Sequence, residues 1–495
     1  MSKSVGLKMS IRNIDQLDAI IGPMLSVGRI PGAAIAVVAG DEIVFARGYG
    51  YRDLETKLPV TPHTVYPIAS TTKAINATML GILVDEGLLA WDAPVQYYLP
   101  RFRIGDSFMS SQITVRDLLL MRTGLPRHDW LWIENPISRA ELVERLRYLD
   151  LTAGLREHCR YNNLTHTAAG HIAEIVSAKN WNDLVQQKIL TPLGMSNTGF
   201  TLPKTDNVSL SYHENSRRDL ILTKRLSGEV TAPSGGSIHS TVLDMARWVS
   251  FNLHGGKATE GHLIVPQTLA AIQSPQILTS MDQGALTPNA AYGLGWFIDT
   301  YNGRARVSHG GDIHDVNSNV MLFPEEGVGI VSFINFGRPQ LTSLINQYAF
   351  DLIMDLKPVQ TLEEILARYE KRIEDTRERV ASVRRVENTS PSHSLSEYAG
   401  AYGHPAYGKI EIHRQDQDLV LQRNDLILPL QHWHYDAWVA KDNDIFPIDY
   451  RHAFERTNRI LFETSADGEI AAVSIQLEIA VAPIRFMKQS ATVLR

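Results

Sequence analysis

Residues 361–387, TLEEILARYEKRIEDTRERVASVRRVE, carry too many charges to lie inside a hydrophobic core, and they divide the 495-residue chain into parts with different apolar periodicity. Leu362, Ile365, Leu366, Tyr369 and Ile373 fall on one stripe. That stripe predicts an amphipathic connector helix lying on the surface rather than a dedicated partner face. Residues 388–394 are Ser/Pro-rich and read as a linker. The division is therefore a large first domain over residues 10–357, a charged connector helix and linker over 358–394, and a small β domain over 395–495. At roughly 100–200 residues per domain, a chain of this length has room for it.

The first part mixes two periods. A helix is expected over residues 12–29, where Ile14, Leu17, Ile20, Ile21 and Met24 recur at helical spacing until Pro31-Gly32. Two β runs, 33–38 and 43–47, are joined by Gly40-Asp41, the signature of a tight hairpin. Helical patterns follow at 70–89, 114–122, 139–149, 165–178, 181–190 and 240–254. The β signal returns at 292–300, 305–309, 317–323 and 328–335. Strands from the first and last thirds with helices between them predict an α+β fold, an antiparallel sheet flanked by helices. Beyond the linker, short β runs at 408–413, 419–423, 426–430, 437–440, 459–463 and 471–476 predict a small antiparallel barrel or sandwich.

Composition removes several classes of function. A net charge of −6, with 44% hydrophobic and 21% charged residues, gives no basic surface for nucleic acid or an anionic membrane. The single cysteine, Cys159, excludes an intramolecular disulfide and a thiolate-rich metal site; it reads as a buried thiol. The opening residues, MSKSVGLKMSIRNIDQLDAII, have no signal-peptide core, and no window approaches the ~18 apolar residues of a membrane span. A cytoplasmic protein is the expectation. G-x-S-x-G, Walker A, H-E-x-x-H and a G-x-G-x-x-G after a strand are all missing.

Three short elements remain. Ser70-Thr71-Thr72-Lys73 is the chain's one S-x-x-K, and a helical pattern starts at its serine. Lys73 then lies one turn on, on the same face, and the positive helix end points at any oxyanion forming near Ser70. Alone, the tetrad reads more readily as a serine N-cap followed by a surface lysine. Tyr161-Asn162-Asn163 can project a phenol and an amide the same way from a turn. His309-Gly310-Gly311-Asp312 follows a β run, and its glycines allow close backbone approach or simply a turn. His432 and His434 would share a strand face, which reads as partly exposed barrel positions rather than a metal site.

In this order and spacing the three elements resemble the serine β-lactamase and penicillin-binding-protein superfamily, in which S-x-x-K carries the nucleophile. The likeness is greatest to the class C β-lactamase-like branch of CubicO-type esterases and D-aminopeptidases, where Y-x-N is the second motif and H-x-G often replaces K-T-G. RGYGYRD (47–53), TVRDLLLMRTGLPRHD (114–129), TPLGM (191–195), APSGGSIHSTVLDMARW (232–248) and YGLGW (292–296) look like further landmarks of that branch. The last hundred residues resemble the lipocalin-like barrel appended to some of these proteins. The resemblance implies that Ser70 is the acylated nucleophile, with Lys73 and Tyr161 sharing base work. Asn163 would orient Lys73 and the substrate, His309 would face Tyr161, and the backbone N–H groups of Ser70 and Asp312 would form the oxyanion hole. Gly310 and Gly311 would line the cleft, and His128 reads either as a further cleft residue or as an ordinary loop histidine.

Both Lys73 and Tyr161 need their pKa values lowered to act as bases near neutrality. His309 in place of a lysine binds a substrate carboxylate less well, and Asp312 adds negative charge where an anion would approach. Both features argue against efficient β-lactam hydrolysis. The implied function is a serine hydrolase acting through an acyl-enzyme on a small ester, amide or short peptide, including D-amino-acid peptides. An acyltransferase using the same ester, or an assembly protein of weak activity, are the alternatives. No cofactor or metal is implied; the expected partner is a small-molecule or short-peptide substrate, without nucleic acid or membrane, and homo-oligomerisation is left open.

Overall fold

The computed structural model describes residues 14–441 and 459–490, apart from residues 134, 202, 204, 216, 225–228 and 383. Helix α1 (Leu17–Gly28) leads into strands β1 (Gly32–Ala39) and β2 (Glu42–Asp53), and the expected hairpin turns at Gly40, whose φ is 59°. A short β3 (Leu58–Pro59) pairs with β2. The other strands of this sheet come from much later in the chain: β4 (Ile277–Leu278), β5 (Ala291–Tyr292), β6 (Phe297–Tyr301), β7 (Arg304–Ile313), β8 (Val316–Phe323) and β9 (Val328–Ile334). The sheet order is β4-β5-β6-β7-β8-β9-β1-β2-β3, with antiparallel neighbours throughout.

Five longer helices clothe or extend it: α2 (Thr72–Asp85), α3 (Leu164–Ser177), α4 (Val242–Leu253), α5 (Pro339–Met354) and α6 (Leu362–Ser382). Strand β1 is buried along its whole length because both faces are covered. Ala33, Ile35 and Val37 join Leu17 and Ile21 of α1 and Leu341, Ile345 and Phe350 of α5 in one cluster. Ala34, Ala36 and Val38 join Ile75 of α2, Leu164 of α3 and Trp248 of α4 in the other. A strand packed on two sides reads as an unbroken apolar run, as GAAIAVVA does. Helix α6 is the expected connector; its Ile365, Tyr369 and Ile373 are buried, and the Arg338 guanidinium lies 3.9 Å from the Tyr369 ring centroid.

The C-terminal region closes into an eight-stranded antiparallel barrel: β10 (Gly400–His404), β11 (Gly408–Gln415), β12 (Asp418–Arg423), β13 (Leu426–His434), β14 (Ala437–Ala440), β15 (Ile460–Thr464), β16 (Ile470–Ile475) and β17 (Ile484–Lys488). Strands β10 and β17, absent from the sequence expectation, make the closure by pairing Tyr402 with Lys488. Apolar packing continues from the helical core through Trp130 to Ile410, Leu421, Leu426 and Ile475 of the barrel. No described helix is long and apolar enough to cross a membrane.

Strand β7 differs from expectation in a way that matters for the site. Gly310, Gly311 and Asp312 lie past the expected β run, which ends at 309, and read as a place of close backbone approach or as a turn. They nevertheless stay in register with β8, Gly311 opposite Ser318 and Asp312 opposite Asn317. Strand β6 stops at the Phe297–Ser308 pair, so residues 309–313 have, among the described residues, a β-partner on one side only. There Ser318 Oγ donates to the Ile68 carbonyl at 2.6 Å, tying the sheet to the turn that carries Ser70. A Cβ at Gly311 would stand 2.3 Å from Ser318 Oγ and 2.5 Å from the Ile68 oxygen. Gly311→Ala should therefore lower stability by about 1–3 kcal/mol, the usual cost of overpacking a filled interior. An unchanged denaturation midpoint would contradict this packing.

Candidate active site

Ser70 sits at a forced corner. Residues Tyr66–Pro67 pair with His239–Ser240, and Ile68 N–H donates to the Ile238 carbonyl at 2.9 Å. Ala69 then takes φ 49°, a left-handed conformation costly for a residue with a Cβ, before the 3₁₀ turn Ala69–Thr71 opens into α2. Gly235 (φ 132°) lies against the same corner, where an added Cβ would come within 2.8 Å of Ser70 N. Backbone strain of this kind persists only where surrounding contacts over-determine it.

Lys73 is fully buried one turn along, the position predicted from the spacing. Its Nζ lies 3.1 Å from Ser70 Oγ, 2.6 Å from Asn163 Oδ1 and 2.8 Å from the Ser234 carbonyl. Desolvation, helped by the Arg127 cation and opposed by the Asp129 anion, pushes its pKa well below the ordinary 10.5. Loss of one proton would leave two N–H groups for the two fixed oxygens and a lone pair for Ser70, and the lowered pKa makes that loss easier.

The Tyr-Asn-Asn element divides its work between neighbours. Asn162 Oδ1 accepts from Thr165 N–H at 2.9 Å and so serves the start of α3. Asn163, standing at the N-cap position, is thereby released from capping; its Nδ2 donates to Asp129 Oδ1 at 3.1 Å while its oxygen meets Lys73. The Tyr161 hydroxyl hydrogen-bonds the Ser70 side chain, and Lys73 Nζ lies 4.7 Å from the centroid of its ring. Burial raises the phenol's pKa. The expectation that both groups shift downward thus holds for Lys73 and fails for Tyr161, because desolvation disfavours the charged form of either: a cation for the amine, an anion for the phenol.

His309 is also buried, and its ring stands 6.1 Å from that of Tyr161. Its Nδ1–H donates to the Gly310 carbonyl at 2.6 Å, which leaves Nε2 to accept from the Tyr292 hydroxyl at 3.1 Å. Burial and then the Lys73 charge pull its pKa down to about 3, so it is a neutral imidazole. Gly310 and Gly311 lie on β7 beside this group, and Asp312 is exposed at its end. His128, expected to line the cleft, does not: its side chain is fully buried against the barrel. Cys159 is buried with Tyr161 and Phe297, its thiol pushed up to about 11 by desolvation. In the barrel, His432 Nε2 donates to the Tyr435 carbonyl while His434 Nδ1 accepts from Val386 N–H, a divergence set by the register shift between them.

Four participants carry no motif of their own. Arg127, Asp129, Ser234 and Tyr292 fall inside the landmark stretches, yet nothing in their spacing assigns them a task. The usable signal is a charged pair, Arg127 and Asp129, embedded in the otherwise aromatic and apolar LPRHDWLWI.

The family model described as Beta-lactamase matches residues 15–351, and one described as a domain of unknown function, DUF3471, matches residues 384–488. Unguisins hydrolase ungD' of Aspergillus campestris is 27% identical over 425 residues, spanning 81% of this chain and 78% of that protein. Protein flp of Staphylococcus aureus (strain N315) is 27% identical over 365 residues, 72% of this chain and 69% of its own length. The solved octameric penicillin-binding protein homologue from Pyrococcus abyssi covers 96% of this chain and 100% of its own at TM-score 0.63 and 22% identity, a likeness of fold.

The His309 environment has a pH signature. Between its ordinary pKa of 6.5 and its folded value of about 3, the unfolded chain binds a proton that the native state refuses. Its contribution is complete above about 6.5 and is lost as pH falls toward 3. His309→Gln should therefore lose less stability than wild type when denaturation midpoints are compared at about pH 7 and pH 4. Parallel losses would contradict a buried neutral imidazole.

Proposed function

The chain belongs to the beta-lactamase family, and from that footing we propose that it is a serine hydrolase that forms an acyl-enzyme on Ser70. The observation that carries the reading is the Lys73 amine, buried and held 3.1 Å from Ser70 Oγ by two oxygens that take its protons. In the proposed first step Ser70 Oγ attacks the substrate carbonyl while its proton passes to Lys73. Tyr161, kept protonated by burial, bridges to the leaving group: it gives its proton and is resupplied by Lys73. The tetrahedral oxyanion falls to the backbone N–H groups of Ser70 and Asp312, one at the strained corner and one on the open side of β7. Collapse releases an alcohol or amine, and water, deprotonated by the same Lys73–Tyr161 pair, then cleaves the serine ester.

The substrate class follows from charge. Neutral His309 offers no fixed cation for a substrate carboxylate, and exposed Asp312 repels one. Both favour an ester, amide or short peptide, with a D-amino-acid peptide carrying its ammonium toward Asp312, over a β-lactam. The DUF3471 match and the closed barrel fit the view of the last hundred residues as a lipocalin-like module of the CubicO-type branch.

Labelling with a fluorophosphonate followed by peptide mass mapping tests the nucleophile. The adduct should fall on the peptide containing Ser70, and Ser70→Ala should lose it together with about 10³-fold or more of ester hydrolysis. Full activity in that variant would end the proposal. Chromogenic esters, D- and L-amino-acid anilides and nitrocefin, run against the same control, sort the substrate class. The acylation rate should reach its plateau at a pH well below 10.5, because the base is a desolvated amine.

A further inference from the structure

Residues 127–132 alternate between two surroundings. Arg127 and Asp129 face the active site: Arg127 Nε donates to Asp129 Oδ2 at 2.7 Å, and the guanidinium lies 5.5 Å from the Tyr161 ring centroid. Asp129 Oδ1 accepts from Asn163 Nδ2 at 3.1 Å and from Trp132 Nε1 at 2.9 Å. His128 and Trp130 face the barrel. His128 N–H donates to Glu478 at 2.9 Å, its Nε2–H to the Asp150 carbonyl at 2.9 Å, and its Nδ1 takes the Tyr407 hydroxyl at 2.7 Å. Trp130 fills a recess of Ile410, Leu421, Leu426, Ile475 and Leu477, and its carbonyl accepts from Arg423.

His128 also carries φ 45°, in the left-handed region that few residues other than glycine occupy. Its backbone N–H and both ring nitrogens are engaged, two of the three by barrel residues. The strain is thus held from the barrel side. It sets the turn that sends neighbouring side chains in opposite directions.

We propose that this segment couples the docked barrel to the catalytic amide, with Asp129 as the positioning residue that keeps Asn163 Oδ1 turned to Lys73. The inference rests on the acyl-transfer reading above. An amide can present either its oxygen or its NH₂ to Lys73, and only the oxygen can accept a hydrogen bond from it. Asp129, an acceptor without donors when ionised, binds the NH₂ end and excludes the flipped form. Trp132 and Arg127 hold the carboxylate, and the barrel holds the loop. The groups of variable charge around Lys73 are Tyr161, His166, His309, Arg127 and Asp129, from four separate segments. Of these, Asp129 is the anion, so its loss acts on the lysine's proton affinity as well as on the amide.

The test uses the full chain, p-nitrophenyl acetate as the acyl donor and the fluorophosphonate labelling rate. Asp129→Asn should reduce plateau acylation about tenfold, leave KM within about twofold, and move the acidic limb of the pH profile downward. Trp132→Phe, which keeps an aromatic ring but removes one anchor of Asp129, should give a smaller fall in the same direction, and it serves if Asp129→Asn does not fold. The double change Tyr407→Phe with Glu478→Met removes both barrel acceptor and donor groups that hold His128 without touching the site. It should lower acylation about threefold or more with its circular dichroism unchanged. Wild-type rates and pH profile in the Asp129 and Trp132 variants would overturn the positioning role. A wild-type rate in the barrel double variant would overturn the coupling. Full activity of Ser70→Ala would instead strike the underlying reading, so the failures are separable.

Discussion

A lysine side chain taken out of water fixes the layout around it. Leaving an ammonium in a protein interior costs several kcal/mol unless hydrogen bonds and charges compensate, and the usual resolution is a depressed pKa. Lys73 meets both conditions at once, because its partners are few and are oxygens: Asn163 Oδ1, the Ser234 carbonyl and Ser70 Oγ. Those three atoms come from the N-terminus of α3, the 3₁₀ turn Glu229–Ser234 and the turn before α2. The need to satisfy one amine therefore brings together segments more than 150 positions apart in sequence, Lys73 and Ser234 being separated by 161 positions.

Bringing backbones that close leaves no room for side chains at the crossing points. Gly235 meets the Ser70 amide and Gly311 meets the Ile68 carbonyl. The same crowding accounts for the left-handed backbone at Ala69, since the chain must leave a short strand pair and enter a helix within two residues. Strand β7 supplies the stiff edge of this arrangement. It stays paired with β8 past Asp312 while β6 ends opposite Ser308, which opens one side of the sheet beside the nucleophile.

Sequence periodicity reveals what local physics controls. The β1–β2 hairpin, α3, α4, the α6 stripe and six of the barrel strands each carry their own apolar pattern, and the S-x-x-K spacing alone puts Lys73 beside Ser70. What stays hidden is whatever another segment imposes. Glycines 310 and 311 look like a turn until β8 holds them extended. Tyr161 looks like a base until its burial is known, because desolvation reverses sign between a phenol and an amine. His128 looks like a cleft histidine, and nothing within twenty residues of it announces Tyr407 or Glu478.

The barrel belongs to the same argument, because it completes a surface that the first part of the chain cannot bury by itself. Trp130 projects from a loop at the rim of the helical core, and the atoms that cover it are barrel residues, leaving a void of only about 10 Å³ beside it. That is about the smallest space that admits a single water. Without the barrel, an indole of this size would face solvent next to Asp129 and Arg127, and the loop would lose three hydrogen bonds that barrel residues supply to His128 and Trp130. The loop that carries Asp129 is braced from two sides, by the barrel at His128 and Trp130 and by Arg127, Trp132 and Asn163 at the carboxylate itself. The docking that hides Trp130 and the geometry that fixes Asn163 are thus two consequences of one packed contact.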